Sequence, residues 1–242
     1  MPDRSTLRLA SSLLLGGFLT YVVVTLLHTG GPANDHPVIF DDYAGSHDWA
    51  AVHLGQFLGM ALLVAGLMTL TRALNLASGP AAWLARAGSA LSTIALGLYG
   101  ALQAVDGVAL KQAVDAWVSA PTAEKAARFA NAETVRWLEW GMRSYHSTAL
   151  GLALLLIGAA VAATARVPRT IGALMVLSGI AYLAQGWVLG SHGFSDEDST
   201  AIIAGYLPTL IWSVSLAVYA WRSPRSAPHS STPANAPEGA AR

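Results

Sequence analysis

The sequence predicts an all-α membrane protein of six transmembrane helices, with an extracytoplasmic helical cap between the third and fourth. Three observations predict it. Only 12% of the 242 residues are charged, against 54% hydrophobic, and a soluble domain carries about 25% charged residues. Charge-poor stretches near the ~20 residues that cross a ~30 Å hydrocarbon core recur along the chain. The Lys and Arg residues gather on alternate sides of those stretches, as membrane orientation requires.

The first span, 9–28, lies in a run without a charge from Leu9 to Asn34. Arg4 and Arg8 precede it as in a secretory signal. The apolar run outlasts a signal core of ~7–15 residues, and no small-x-small cleavage site precedes Pro32, so it reads as a retained anchor. Segment 29–48 is turn-rich and acidic, too short for a domain, and leads to spans 49–71 and 87–105. Segment 106–143 holds two helical stretches, 107–119 and 122–140, parted by Pro121, with Thr122 as N-cap of the second. Phe129, Val135, Trp137 and Trp140 mix there with Glu133, Arg136 and Glu139, which suits a helix at the interface or over the bundle mouth. Spans 144–165 and 170–190 join through the tight turn Arg166-Val-Pro-Arg169. The last span, 199–221, contains Pro208, which predicts a kink or local unwinding. The Ser-, Pro- and Ala-rich tail 223–242 reads as disordered and cytoplasmic.

With the N-terminus inside, the inner segments hold nine arginines and two acidic residues, and the outer segments five basic and twelve acidic ones. The formal charge is then +7 inside and −7 outside, which predicts cytoplasmic termini. The balanced net charge gives no reason to expect nucleic acid. The absence of cysteine excludes disulfides, thiolate metal sites, iron–sulfur clusters and attached c-type haem. Twelve Arg against two Lys, with abundant Ala, fits a high-GC bacterial genome and hence a bacterial plasma membrane.

Leu58-Gly-Met-Ala-Leu-Leu-Val-Ala-Gly66 in the second span resembles Leu150-Gly-Leu-Ala-Leu-Leu-Leu-Ile-Gly158 in the fourth. His53 lies five residues before the first block and His146 four before the second; Arg72 and Arg166 follow them, and Gln103 and Gln185 lie on the next spans. Spans 2–3 and 4–5 therefore read as a parallel duplicated hairpin, although Leu, Ala and Gly runs match readily by accident.

Six of the seven histidines fall on the outer side. His28, His53, His146 and His192 sit near span ends and are the candidate metal ligands. Gln56 shares a face with His53 at i+3, and Glu139, Arg143 and His146 share one at i, i+4, i+7. His53, Gln56, Gln103, Asp106, Glu139, His146, Gln185 and His192 form the candidate ligand pocket, opening outward. Histidines on facing helices can hold haem b, here His53 and His146 as axial ligands. Histidine with Asp or Glu suits zinc completed by water, and an activated water makes a hydrolase with Glu139 or Asp48 as base. Histidine is also tolerated at the bilayer interface without any ligand, and no HExxH, HxH, HxxxH or HxxE pair marks a metal frame. No Asp, Glu, Lys or Arg lies in mid-span, which argues against proton-driven transport.

The stretch Gly151–Gly158, the turn Arg166-Val-Pro-Arg169-Thr-Ile-Gly172 and Leu177-Ser-Gly-Ile-Ala-Tyr182 carry a resemblance. In these features, and in its long outer segment, the chain resembles an uncharacterised family of six-span bacterial integral membrane proteins, along nearly its whole length to Trp221. The resemblance implies a topology and no reaction. The sequence thus predicts a protein in contact with the lipid bilayer, whose outer pocket binds a small-molecule ligand or a membrane partner protein. The alternatives are a haem b redox protein and a zinc-dependent hydrolase.

Overall fold

The computed structural model describes residues 3–222, so the tail 223–242 lies outside the described residues. Those residues are almost wholly helical: α1 (Arg4–Thr25), α2 (His36–Gly45), α3 (Trp49–Ala73), α4 (Pro80–Ala104), α5 (Lys111–Val118), α6 (Lys125–Thr164), α7 (Arg169–His192) and α8 (Asp196–Arg222). A six-residue π-helical segment, Val105–Leu110, joins α4 to α5 without a break. No strand occurs among the described residues. Six helical stretches are long and apolar enough to cross a membrane, and the chain is an integral membrane protein.

The long helices form a closed ring in chain order, α1–α3–α4–α6–α7–α8, with α8 returning to α1. Its interior is filled by side chains including Leu14, Leu67, Leu154, Ile157, Met175, Trp212 and Leu216. Lipid gives no hydrophobic force between helices, so close backbone approach must hold the ring together. A Cβ on Gly59 would stand 2.6 Å from the Tyr21 nitrogen of α1, and one on Gly151 2.8 Å from the Gly179 carbonyl oxygen of α7. These equivalent glycines of the two repeat blocks thus meet the preceding helix in one block and the following helix in the other. The likeness of the blocks does not extend to their packing. Pro208 stays inside an unbroken α8.

One end of the ring is basic. Arg166 donates to the carbonyls of Leu74 and, at 2.7 Å, Asn75, which are freed where α3 ends. Arg8 donates to the Ala220 carbonyl of α8 at 3.2 Å. Exposed Trp83 and Trp221 mark this end, and exposed Trp137, Tyr145 and Trp187 mark the other. From Tyr145 to Thr164, α6 rises about 30 Å, one hydrocarbon thickness.

That length matters, because α6 has 40 residues and is about 60 Å long. The predicted stretch 122–140 and the predicted span 144–165 are one rod, which starts at Lys125 rather than at a Thr122 cap. Polarity at Glu139 and Arg143 ends a hydrophobic window, but it does not end a helix. The outer half of α6 packs with α2 and α5 around a second apolar core of Ile39, Phe40, Tyr43, Trp49, Leu110, Val114 and Ala132. Segment 29–48, read as turns, supplies α2. This cap closes the end of the ring opposite the basic one.

Candidate metal centre

The site begins with the π-helical segment. Its wider turn carries Asp106 out of α-helical register, and π-bulges recur at functional sites. Trp49 Nε1 donates to the Asp106 carbonyl at 3.0 Å. A Cβ on Gly107 would lie 2.8 Å from His53 Cβ, so only glycine lets this segment settle on the imidazole.

His53 Nδ1 lies 2.7 Å from the Trp49 carbonyl, and His28 Nδ1 lies 2.8 Å from the Thr29 carbonyl. A carbonyl only accepts, so both Nδ1 atoms carry the proton, and Nε2 is the atom left to ligate whenever the ring is neutral. Carbonyl-held Nδ1–H groups are the usual support of metal-binding histidines. His53 Nε2 stands 3.0 Å from Asp106 Oδ2. The angles are poor for a hydrogen bond, and His53 Nε2 and Asp106 Oδ1 have no hydrogen-bond partner. The His28 and His53 ring centres are 5.1 Å apart. One donor atom from each of His28, His53 and Asp106 lies within 4.8 Å of the other two. Zinc holds N and O ligands at ~2.0–2.2 Å, and His28, His53 and Asp106 are the described residues that could be its protein ligands.

Burial holds His28 below the ordinary histidine range, against the opposing pull of Asp106. It is therefore neutral, the form that ligates. Burial likewise raises the Tyr43 phenol above its usual value and keeps it protonated.

Beside the triad is a cavity of about 250 Å³ lined by His28, Tyr43, Gln56, Asp106, Arg136, Glu139, Arg143 and Phe194, among others. Arg136 Nη1 donates to Glu139 Oε2 at 2.6 Å, both residues being at most 2% exposed. Gln56 donates to Thr25 Oγ1 at 3.2 Å, and Gln103 donates to Gln56 Oε1 at 3.4 Å, so Gln103 supports the wall from behind. A larger, open groove of about 630 Å³ between α6 and α7 is lined by Trp137, Tyr145 and Trp187 and holds none of the histidines or carboxylates.

Other predicted residues lie elsewhere. His146 is buried deeper, with Nδ1 2.9 Å from the Ala95 carbonyl of α4 and its ring 4.6 Å from that of Tyr99. Gln185 accepts from Ser147 at 3.4 Å across α6 and α7. His192 is exposed, and its carbonyl accepts from Asn34 at 3.2 Å. Asp48 is exposed ahead of α3. Arg136, Tyr43 and Phe194 line the cavity but were not among the predicted site residues. The i, i+3 spacing of Arg136 and Glu139 is the one sequence signal among them. No family model, curated protein or solved structure gives a significant match to this chain.

Proposed function

We propose that this protein sits in a bacterial plasma membrane with both termini cytoplasmic, and that its cap-side cavity faces outward and holds a zinc-type divalent ion. His28, His53 and Asp106 are the ligands, and the open position binds a ligand from the outer side. The observation that carries the reading is the pair of Nδ1–carbonyl bonds, which leave the two Nε2 atoms as the ones to ligate, beside a buried carboxylate whose Oδ1 has no partner. Two imidazoles and a carboxylate form a borderline-to-hard donor set of the kind zinc prefers. Orientation rests on seven of the ten described arginines, Arg4, Arg8, Arg72, Arg86, Arg166, Arg169 and Arg222, which lie at the end opposite the cap, against Arg128, Arg136 and Arg143 on the cap side.

The haem reading draws no support from the geometry. Asp106 stands 3.0 Å from His53 Nε2 and the Trp49 ring lies 4.5 Å from the imidazole, while His146 is packed against Tyr99 instead of across a shared space. The hydrolase reading has Glu139 in the cavity wall, but Arg136 holds its carboxylate at 2.6 Å, which opposes its use as a base. Binding is the reading the site supports best.

Elemental analysis of detergent-purified protein after zinc dialysis tests it. One equivalent of zinc is expected, lost in His28→Ala, His53→Ala and Asp106→Asn and kept in His146→Ala. A Soret band that needs both His53 and His146 would replace this reading with the cytochrome.

A further inference from the structure

We propose that Arg143 is an anion subsite facing the metal position, and that the cavity receives a phosphate ester bridged between the Arg143 guanidinium and the bound ion. The bridging half of this inference rests on the metal reading above.

The wall of the cavity holds two arginines in unlike states. Arg136 pairs with Glu139 and donates to the Ala33 carbonyl at 3.3 Å, leaving its Nε without a partner. Arg143, two turns along the same helix, is partly buried and makes no hydrogen bond or ion pair. Its contact is the face of the Phe194 ring, 5.3 Å from Cζ. Asp198 lies within electrostatic range but beyond ion-pairing distance, and its Oδ1 is itself unsatisfied. A guanidinium carries five N–H donors, and Arg143 lines the cavity with no protein acceptor on them, where an oxyanion can take two or more.

Charge, size and depth each restrict the ligand. Among the lining residues Asp106 and Glu139 cancel Arg136 and Arg143, so a divalent ion leaves the cavity at about +2, or about +1 with Asp198 counted behind Arg143. A phosphate monoester or diester carries the balancing one or two negative charges. The planar guanidinium fork takes two of its oxygens while the ion takes a third. The cavity, at about 250 Å³, holds a phosphate group and a short substituent. Arg143 also lies just outward of Tyr145, in the exposed aromatic band of the cap end, which places the cavity at the depth of lipid headgroups. A lipid headgroup and a soluble phosphate ester present the same chemistry there.

Calorimetry on the full chain in detergent, with zinc content measured on the same samples, tests the subsite. The probes are inorganic phosphate and dihexanoyl phosphatidic acid. The expected result is one phosphate per chain, weakened about 10- to 100-fold in Arg143→Gln with zinc content unchanged. Arg143→Lys should fall between, and it carries the test if the glutamine variant does not survive purification. Zinc-loaded variants that bind phosphate as tightly as the parent would overturn the subsite and leave the metal reading standing. Phosphate binding that needs Arg143 in protein that takes up no zinc would uphold the subsite and overturn the metal reading. Neither zinc nor phosphate bound would overturn both. Tighter binding of the short-chain lipid than of inorganic phosphate identifies a bilayer headgroup as the source, and equal binding identifies a soluble one.

Discussion

At residue scale, the site depends on what supports its ligands as much as on the ligands. Gly107 is the sharpest case. Gly107→Ala puts a methyl 2.8 Å from His53 Cβ and should push the imidazole off Asp106. Losing the contacts that orient a metal ligand costs about 10- to 100-fold in metal affinity, and chelator competition should show a loss of that size in a chain that still folds. Removing the Trp49 indole as Trp49→Phe frees the Asp106 carbonyl and should weaken zinc in the same direction but less, by the same assay. Part of this was legible in the sequence: His28, His53 and Asp106 were all candidates. Their convergence was not, because it depends on three elements far apart in the chain and on a π-turn that no periodicity announces. His146 shared a predicted face with Glu139 and Arg143, yet the deeper Ala95 carbonyl claims its ring.

At the scale of elements, the sequence showed the six spans through hydropathy and missed the continuity of α6, because hydropathy reports lipid rather than backbone. The glycines divide in a way composition cannot show. Gly158→Val would drive a side chain into the Gly172 carbonyl at 2.8 Å, whereas a Cβ on Gly16 meets nothing within 4 Å. Thermal unfolding in detergent should show a loss of about 1–3 kcal/mol or more for the first and little change for Gly16→Ala. In the cap, Phe40 is fully buried between α2, α5 and α6. Phe40→Ala should cost about 3–5 kcal/mol, read as faster amide exchange in α5 with the ring helices still protected.

For the whole molecule, orientation and metal dependence are the testable properties. The chain has no cysteine, so single cysteines report topology without background. An impermeant maleimide should label His47→Cys on intact cells and Ser78→Cys only after permeabilisation; the reverse pattern would turn the cavity inward. Zinc at 100 times its Kd should raise unfolding stability by about 2.7 kcal/mol, and a chelator should reverse the rise. The six spans and the basic end followed from hydropathy and charge. The closing contact of α8 with α1 did not, since residues at the two extremes of the chain leave no local trace of meeting. The length of α6 has a mechanical consequence. One proline-free rod carries Glu139 and Arg143 near its middle, and its far end abuts the Arg166 turn that grips the end of α3. On a rod of this length, a few degrees of tilt at the cavity would become a displacement of ångströms at the opposite end. The helix that lines the cavity therefore also runs the full height of the ring, so the two ends of the molecule share one rigid element.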